Sequence, residues 1–119
     1  MSTLETIEKR LYEIGCSVTA IHSYEDRAVD GLIAMKIIHA ISTEEATNLL
    51  KNVQLKVIEE HSKVLGRLSA TVVVINGLYK TGEIDSDTAD SKLNEIISIV
   101  KDIRSHVTKN EELVTDEDY

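Results

Sequence analysis

The side chains best suited to chemistry are histidines and carboxylates that occur together at three places in the chain. His22 and Glu25 are three residues apart, so both can point the same way from a helix. Imidazole and carboxylate groups on facing helices of a bundle can hold zinc, iron or manganese. The candidate metal ligands are His22, Glu25, Glu60, His61, Asp102 and His106.

These three places fall at one level if the chain folds into antiparallel helices with short connections. His61 then faces Glu25 across the first turn and Ser105 across the second. Three interpretations follow: a polar layer that fixes register, with Glu25 bonded to His61 or Arg104; solvated side chains that flank the core; or a metal site. The Glu-x-x-His motif of di-iron bundles is absent and only the reversed spacing occurs, so we expect the polar layer.

Other chemistry finds little support in the sequence. Cys16 follows Gly15 on an apolar helix and is predicted to be a small core residue, not a nucleophile. His39 is expected to be packed or partly exposed. No Gly-rich phosphate loop occurs, and aromatic residues make up 3% of the chain, which argues against base stacking and most small-molecule pockets. We expect no enzymatic activity and no cofactor.

The first element that must position these groups is a long helix, predicted from about residue 3 to residue 41. The chain has no proline to interrupt it, although Gly15 permits a kink. Its apolar residues recur by threes and fours, which indicates one buried face. The predicted seam contains Leu4, Ile7, Leu11, Ile14, Val18, Ile21, Glu25, Ala28, Leu32, Met35 and His39.

A second long helix is predicted from about residue 43 to residue 80. Ser42 and Glu45 have the spacing of a capping box, which marks its start. The run at residues 71 to 75 has strand propensity, but the helical period continues through it. The predicted buried positions include Ala46, Leu50, Val53, Val57, Val64, Leu68, Val72, Ile75 and Tyr79.

A third, shorter helix follows and runs to about residue 108. Gly82 is placed to end the second helix in a left-handed conformation, and Asp85 or Ser86 can cap the third. The predicted fold class is therefore all-α, an antiparallel bundle of two long helices and one shorter helix. The apolar positions of the third helix are Ala89, Leu93, Ile96, Val100, Ile103 and Val107.

Charge divides the chain into a helical domain, residues 1–108, and an acidic tail, residues 109–119, which we expect to be disordered. The formal net charge is −8, and no basic stripe indicates nucleic-acid binding. A single cysteine fits a reducing compartment. Without a recognisable signal peptide or membrane span, we expect a soluble, cytoplasmic protein that binds no membrane.

The helices have unequal lengths, which is the basis of the functional hypothesis. The first two should each reach nearly 60 Å and the third about 33 Å, so the end of the hairpin lacks a third helix. The apolar residues at that end would be exposed, and large exposed apolar patches usually mark interfaces. A homodimer in which two hairpin ends complete a four-helix bundle would cover them. The alternative is a kink at Gly15 or Gly31 that covers them within one chain. The predicted interface contains Leu32, Ile33, Ile37, Ile38, Ile41, Leu49 and Leu55.

The predicted function is therefore a non-enzymatic, homo-oligomeric assembly or adaptor protein that acts by protein–protein contact. Its partners would be itself and an unidentified protein. Its size and lack of motifs would suit a viral or phage accessory protein. The alternative is a helical bundle that binds a metal ion or small ligand at the level of the histidines.

Overall fold

The structure is a computed structural model and describes residues 2–106 of the 119. It contains three helices, α1 (Thr3–Ile37), α2 (Thr43–Lys80) and α3 (Ser86–His106), and residues 2–106 include no strand. The bundle measures 61 × 23 × 16 Å. The predicted all-α fold class is confirmed. The predicted acidic tail, residues 109–119, lies outside the described residues.

α1 is one continuous helix and begins where Ser2 caps it. The Ser2 side chain accepts a hydrogen bond from the backbone N–H of Glu5 at 3.1 Å. The helix passes through Gly15 and ends at Ile37. The prediction that it continues to Ile41 is wrong, because the chain must reverse before the next helix begins.

The reversal uses a Schellman turn centred on His39. The backbone N–H of Ala40 donates to the carbonyl of Met35 at 2.8 Å, and that of His39 donates to Lys36 at 3.1 Å. His39 has φ 61°, the left-handed conformation that usually favours glycine. The connection therefore carries a local conformational cost at its centre.

The start and end of α2 follow the predicted signals. The Ser42 hydroxyl accepts from the N–H of Glu45 at 3.1 Å, and the Glu45 carboxylate accepts from the N–H of Ser42 at 3.2 Å. Gly82 adopts φ 79° just after the helix. Asp85 then caps α3 by accepting from the N–H of Thr88 at 2.8 Å. The capping box, the glycine and the Asp85 cap are confirmed.

Most of the core lies where all three helices meet. Ile14 and Ile75 are fully buried at its centre. A smaller cluster, formed by Val29, Leu32 and Leu50, lies nearer the α1–α2 turn. The main cluster comprises Ile7, Leu11, Ile14, Val18, Ile21, Val57, Val64, Leu68, Ile75, Leu78, Ile84, Ala89, Ile96 and Ile103.

Beyond Glu25, the predicted seam of α1 is correct at Leu32, but the buried residue lies one position after the predicted one on either side of it. Val29 and Lys36 are buried, whereas Met35 and His39 are exposed and Ala28 is half-buried. Helical spacing permits a step of three or four at each turn, and the choice of three after Glu25 was wrong.

The same kind of shift occurs in α2. Thr71 and Leu78 are buried in place of Val72 and Tyr79, which are exposed. Thr71 can be fully buried because its hydroxyl donates to the carbonyl of Arg67 at 2.8 Å. The hydrogen bond removes the cost that made threonine a poor candidate for the core.

Candidate functional site

Four of the six predicted ligand residues come together in the bundle interior. His22 and Glu25 lie on α1, His61 lies on α2, and His106 is the last residue of α3. Glu25 is 3% exposed, and His61 and His106 are each 6% exposed, while His22 is half-buried. We call these four residues the histidine layer. The interpretation that they are solvated is wrong for the three buried members.

The His22 ring contacts both of the other imidazole rings of the layer. The His22 and His106 rings are stacked, with centroids 3.7 Å apart and planes 2° from parallel. The His61 ring meets the His22 ring edge to face at a centroid distance of 5.4 Å and an angle of 84°. One ring from each helix therefore contributes to a single cluster.

Two carboxylates of α1 approach the cluster at His106. Its Nε2 atom lies 2.9 Å from Glu25 Oε1 and 3.3 Å from Asp26 Oδ1. Glu25 is buried, whereas the Asp26 side chain is about half-exposed, at 49%. The two acids therefore place their carboxyl groups at one side of the cluster.

Each of the three rings has a buried nitrogen atom without a hydrogen bond in the part of the chain that the structure describes. Within residues 2–106, Nε2 of His22, His61 and His106 has no hydrogen-bond partner. The short contact between His106 and Glu25 therefore does not have the geometry of a hydrogen bond. A buried polar atom without a hydrogen bond costs about 1–3 kcal/mol, so three of them together call for an explanation.

Burial also sets the protonation of two of the rings. Burial lowers the pKa of His22, the nearby His106 and His61 lower it further, and Glu25 and Asp26 oppose the shift. Burial likewise lowers the pKa of His61, with Glu25 opposing and His106 adding to the shift. Both rings are therefore neutral at neutral pH, the form in which imidazole accepts a hydrogen bond or binds a metal ion.

Glu60 and Asp102, the other two predicted ligands, lie outside the layer. Glu60 forms ion pairs with Lys56 at 3.6 Å and Lys63 at 3.3 Å on the surface of α2, and the hydrogen bond from Lys63 lowers the pKa of Glu60. Asp102 is exposed. Within residues 2–106, no group of three or more His, Cys, Asp or Glu side chains could hold a metal ion.

Sequence reasoning missed Asp26 and misjudged two neighbours of the layer. Asp26 is four residues after His22, a helical spacing that could have identified it. Arg104, an expected partner of Glu25, is exposed, and His106 makes the contact instead. Cys16 is exposed on α1, so the prediction of a core cysteine is wrong: the buried face on this stretch passes through Ile14 and Val18.

A second candidate site is the exposed apolar surface at the α1–α2 end of the hairpin. Ile38 is 72% exposed, Leu55 is 64% exposed and Ile37 is 55% exposed. We define the apolar tip as Ile37, Ile38, Leu49, Leu55 and Ile58, all of which are exposed. Of the other predicted interface residues, Leu32 is buried within its own chain, and Ile33 and Ile41 are half-buried against the small cluster.

Comparisons of the chain with protein-family models, curated proteins and solved structures find no match. Among the residues that the structure describes, no helix has the length and apolar character to cross a bilayer. The two sites above are therefore interpreted from their own chemistry.

Proposed function

We propose that the protein is a non-enzymatic assembly or adaptor protein that forms a homodimer, or a higher oligomer, through its apolar tip. One observation carries the proposal: five large aliphatic side chains at positions 37 to 58, in the part of the hairpin that includes the α1–α2 turn, are each exposed. Extensive exposed apolar surface usually marks a protein–protein contact.

The position of α3 explains why the tip has no cover within residues 2–106. The last described residue of α3, His106, contacts His22 and Glu25 in the histidine layer. α1 and α2 continue past this level to the turn at residues 38–42 as a pair of helices. Two helices have one mutual face, so apolar residues beside that face stay in contact with water.

Burial of the tip would supply enough free energy for association. Complete burial of a leucine or isoleucine is worth about 1.5–3 kcal/mol. Since the tip side chains are roughly half to three-quarters exposed, each would contribute roughly 1–2 kcal/mol on covering. Five such side chains from each of two chains can exceed the association cost of about 4–15 kcal/mol.

A second copy of the chain is the occupant that we propose for this surface. Two hairpin ends packed about a two-fold axis would form a four-helix bundle. Charge also favours self-association here. The formal net charge of the chain is −8, yet residues 31–58 contain three lysines and two glutamates. Two tips can therefore meet without the repulsion that the rest of the chain would cause.

Other parts of the proposal depend on composition. The acidic net charge disfavours binding to phosphate backbones, so we propose no nucleic-acid partner. The single cysteine suits a reducing compartment such as the cytoplasm. A further protein partner, as for a viral or phage accessory factor, would bind the dimer.

Light scattering on matched variants tests the proposal. The double variant Ile37→Glu, Ile38→Glu places charge on the tip and should give the 13.2 kDa mass of one chain. The control Val73→Glu makes the same kind of change at a residue that is 69% exposed and far along α2, and should keep twice that mass. An Ile37→Glu, Ile38→Glu variant with the same mass as the control would refute a tip interface.

A further inference from the structure

α2 has a second exposed face beyond the apolar tip, which we call the α2 seam. Its positions alternate by three and four residues without a break, which is the spacing of a coiled-coil heptad. Large side chains alternate along it with smaller polar ones, and none of the six is charged. The α2 seam consists of Ser62, Leu65, Ser69, Val72, Asn76 and Tyr79.

The seam is open to water in the part of the chain that the structure describes. All six of its residues are exposed, and the exposed fractions of Leu65, Val72 and Tyr79 are 42%, 37% and 49%. The buried face of α2 runs beside it, through Leu68 and Ile75. Exposed side chains with heptad spacing are typical of a helix that pairs with another helix.

We infer that the α2 seam binds the same seam of a second copy of the chain, as an antiparallel pair of helices in which Ser69 of each chain faces Val72 of the other. A two-fold axis perpendicular to the helices relates the two copies, so each contact occurs twice. The contact extends the proposed self-assembly by a second surface, and it does not depend on the tip.

The sizes of the seam side chains support the antiparallel pairing. With Ser69 opposite Val72, the same axis places Leu65 opposite Asn76, and the two ends of the seam, Ser62 and Tyr79, face each other. Every large side chain therefore faces a smaller one, so the two helices can interdigitate. A parallel pair would place serine on serine and leave gaps in the contact.

The charges beside the seam favour this register over its neighbours. The flank of the seam away from the buried face carries Glu59, Gly66, Val73 and Lys80 at seven-residue spacing. In the proposed register, Glu59 of each chain lies within about two residues of the level of Lys80 of the other, where such pairs form salt bridges between coiled-coil helices. A shift by one heptad in either direction would remove both ion pairs.

The seam contact should be weaker than the tip contact. Its large side chains, at 37–49% exposed, have less apolar surface to bury than Ile37, Ile38 and Leu55, which are 55–72% exposed. The seam would therefore join chains at higher protein concentrations than the tip does. Two separate two-fold contacts on one chain can join dimers into a larger assembly.

Light scattering on the Ile37→Glu, Ile38→Glu variant tests the seam alone, at protein concentrations up to about 1 mM. Its mass should rise with concentration from one chain toward two. Added Ser69→Glu, which places a charge at the centre of the contact, should keep the mass at one chain. The matched control Ala70→Glu changes the next exposed residue, about 100° around the helix, and should leave the rise intact. A mass that does not rise, or that rises equally with Ser69→Glu, would overturn the inference, whereas failure of the tip proposal would appear as equal masses of this variant and the wild type at every concentration.

Cross-linking of paired cysteine variants tests the register. Cys16→Ser in the same tip variant first removes the single native thiol, which is exposed. A short bismaleimide should then join Glu59→Cys protein to Lys80→Cys protein when the two are mixed, and should join neither variant to itself. Added Ser69→Glu should abolish the cross-link, and circular dichroism confirms that each variant keeps its helices. Cross-linking of Glu59→Cys to itself, or none in the mixture, would contradict the antiparallel register.

Discussion

Replacement of His61 by leucine tests whether the buried imidazole stabilises the fold or lowers its stability. The His61 side chain is buried, and its Nε2 atom has no hydrogen-bond partner within residues 2–106. Leucine has a similar volume and no polar atom, so it removes the cost of that buried nitrogen, about 1–3 kcal/mol. We therefore expect His61→Leu to raise the free energy of unfolding by about 1–2 kcal/mol at pH 7.5.

The effect should grow as the pH falls. Burial lowers the pKa of His61 below its ordinary value of 6.5, so the unfolded chain binds a proton more readily than the folded chain. Stability is present above pH 6.5 and declines as the pH falls from 6.5 through the lowered pKa, by at most about 1.4 kcal/mol per pH unit for one proton. His61→Leu removes this decline in stability. The part of the decline that is due to His22 remains, because burial lowers the pKa of that ring as well.

Urea unfolding measures both effects. Wild type, His61→Leu and the control His39→Asn are each unfolded at pH 7.5 and 5.5 in the presence of a chelator. All measurements use one protein concentration, because oligomers gain stability with concentration. The free energy gained by His61→Leu should be larger at pH 5.5. A loss of more than about 1 kcal/mol at pH 7.5 would show that His61 stabilises the fold through interactions with its neighbours, and would refute the reasoning.

Three further predictions concern the fold. His39 and Gly82 both have positive φ, which favours glycine. His39→Gly should therefore raise the free energy of unfolding by about 0.5–1 kcal/mol, and Gly82→Ala should lower it by about 1 kcal/mol. Urea unfolding measures both changes, and changes of the same sign and size would contradict the turn geometry. Ile14→Ala should lower the free energy of unfolding by about 2–5 kcal/mol because Ile14 is fully buried. Val73→Ala, at an exposed residue, should lower it by less than about 1 kcal/mol. Similar melting temperatures for the two variants would contradict this assignment of the core. Ser42→Ala should cost about 0.5–2 kcal/mol through loss of the capping box, and an unchanged urea midpoint would contradict the role of that cap.

Local signals predicted the helix ends well where one residue type has a specific backbone role. The capping box at Ser42 and the left-handed Gly82 are examples. The end of α1 was harder to predict because His39 occupies a position where glycine is usual. A rule that places the end of a helix at a glycine therefore does not identify the turn at His39.

The buried face was less predictable than the helices themselves. Adjacent residues on a helix point 100° apart. Where two neighbours have similar polarity, spacing by threes and fours is satisfied whichever of the two is taken as buried. In α2, Val72 was preferred for its apolar side chain, yet Thr71 is buried because it satisfies its own hydroxyl. Such a hydrogen bond depends on the folded backbone and leaves no mark in hydrophobic periodicity.

The level of the candidate site could be predicted, but its members could not all be identified. A constant rise per residue brings the three predicted places to one height, which is where His61 and His106 meet His22. The direction of each side chain depends on helix rotation, which sequence spacing does not determine within one residue. Arg104 was therefore expected where His106 lies, and Asp26 was missed.

Small-angle X-ray scattering of the native protein measures mass and length together. The bundle is 61 Å long, and two tips that overlap along residues 43–60, about 27 Å of helix, would make a particle roughly 90–100 Å long. We expect this length with twice the chain mass of 13.2 kDa. A particle of one chain mass, or a dimer still close to 61 Å long, would contradict assembly through the apolar tip.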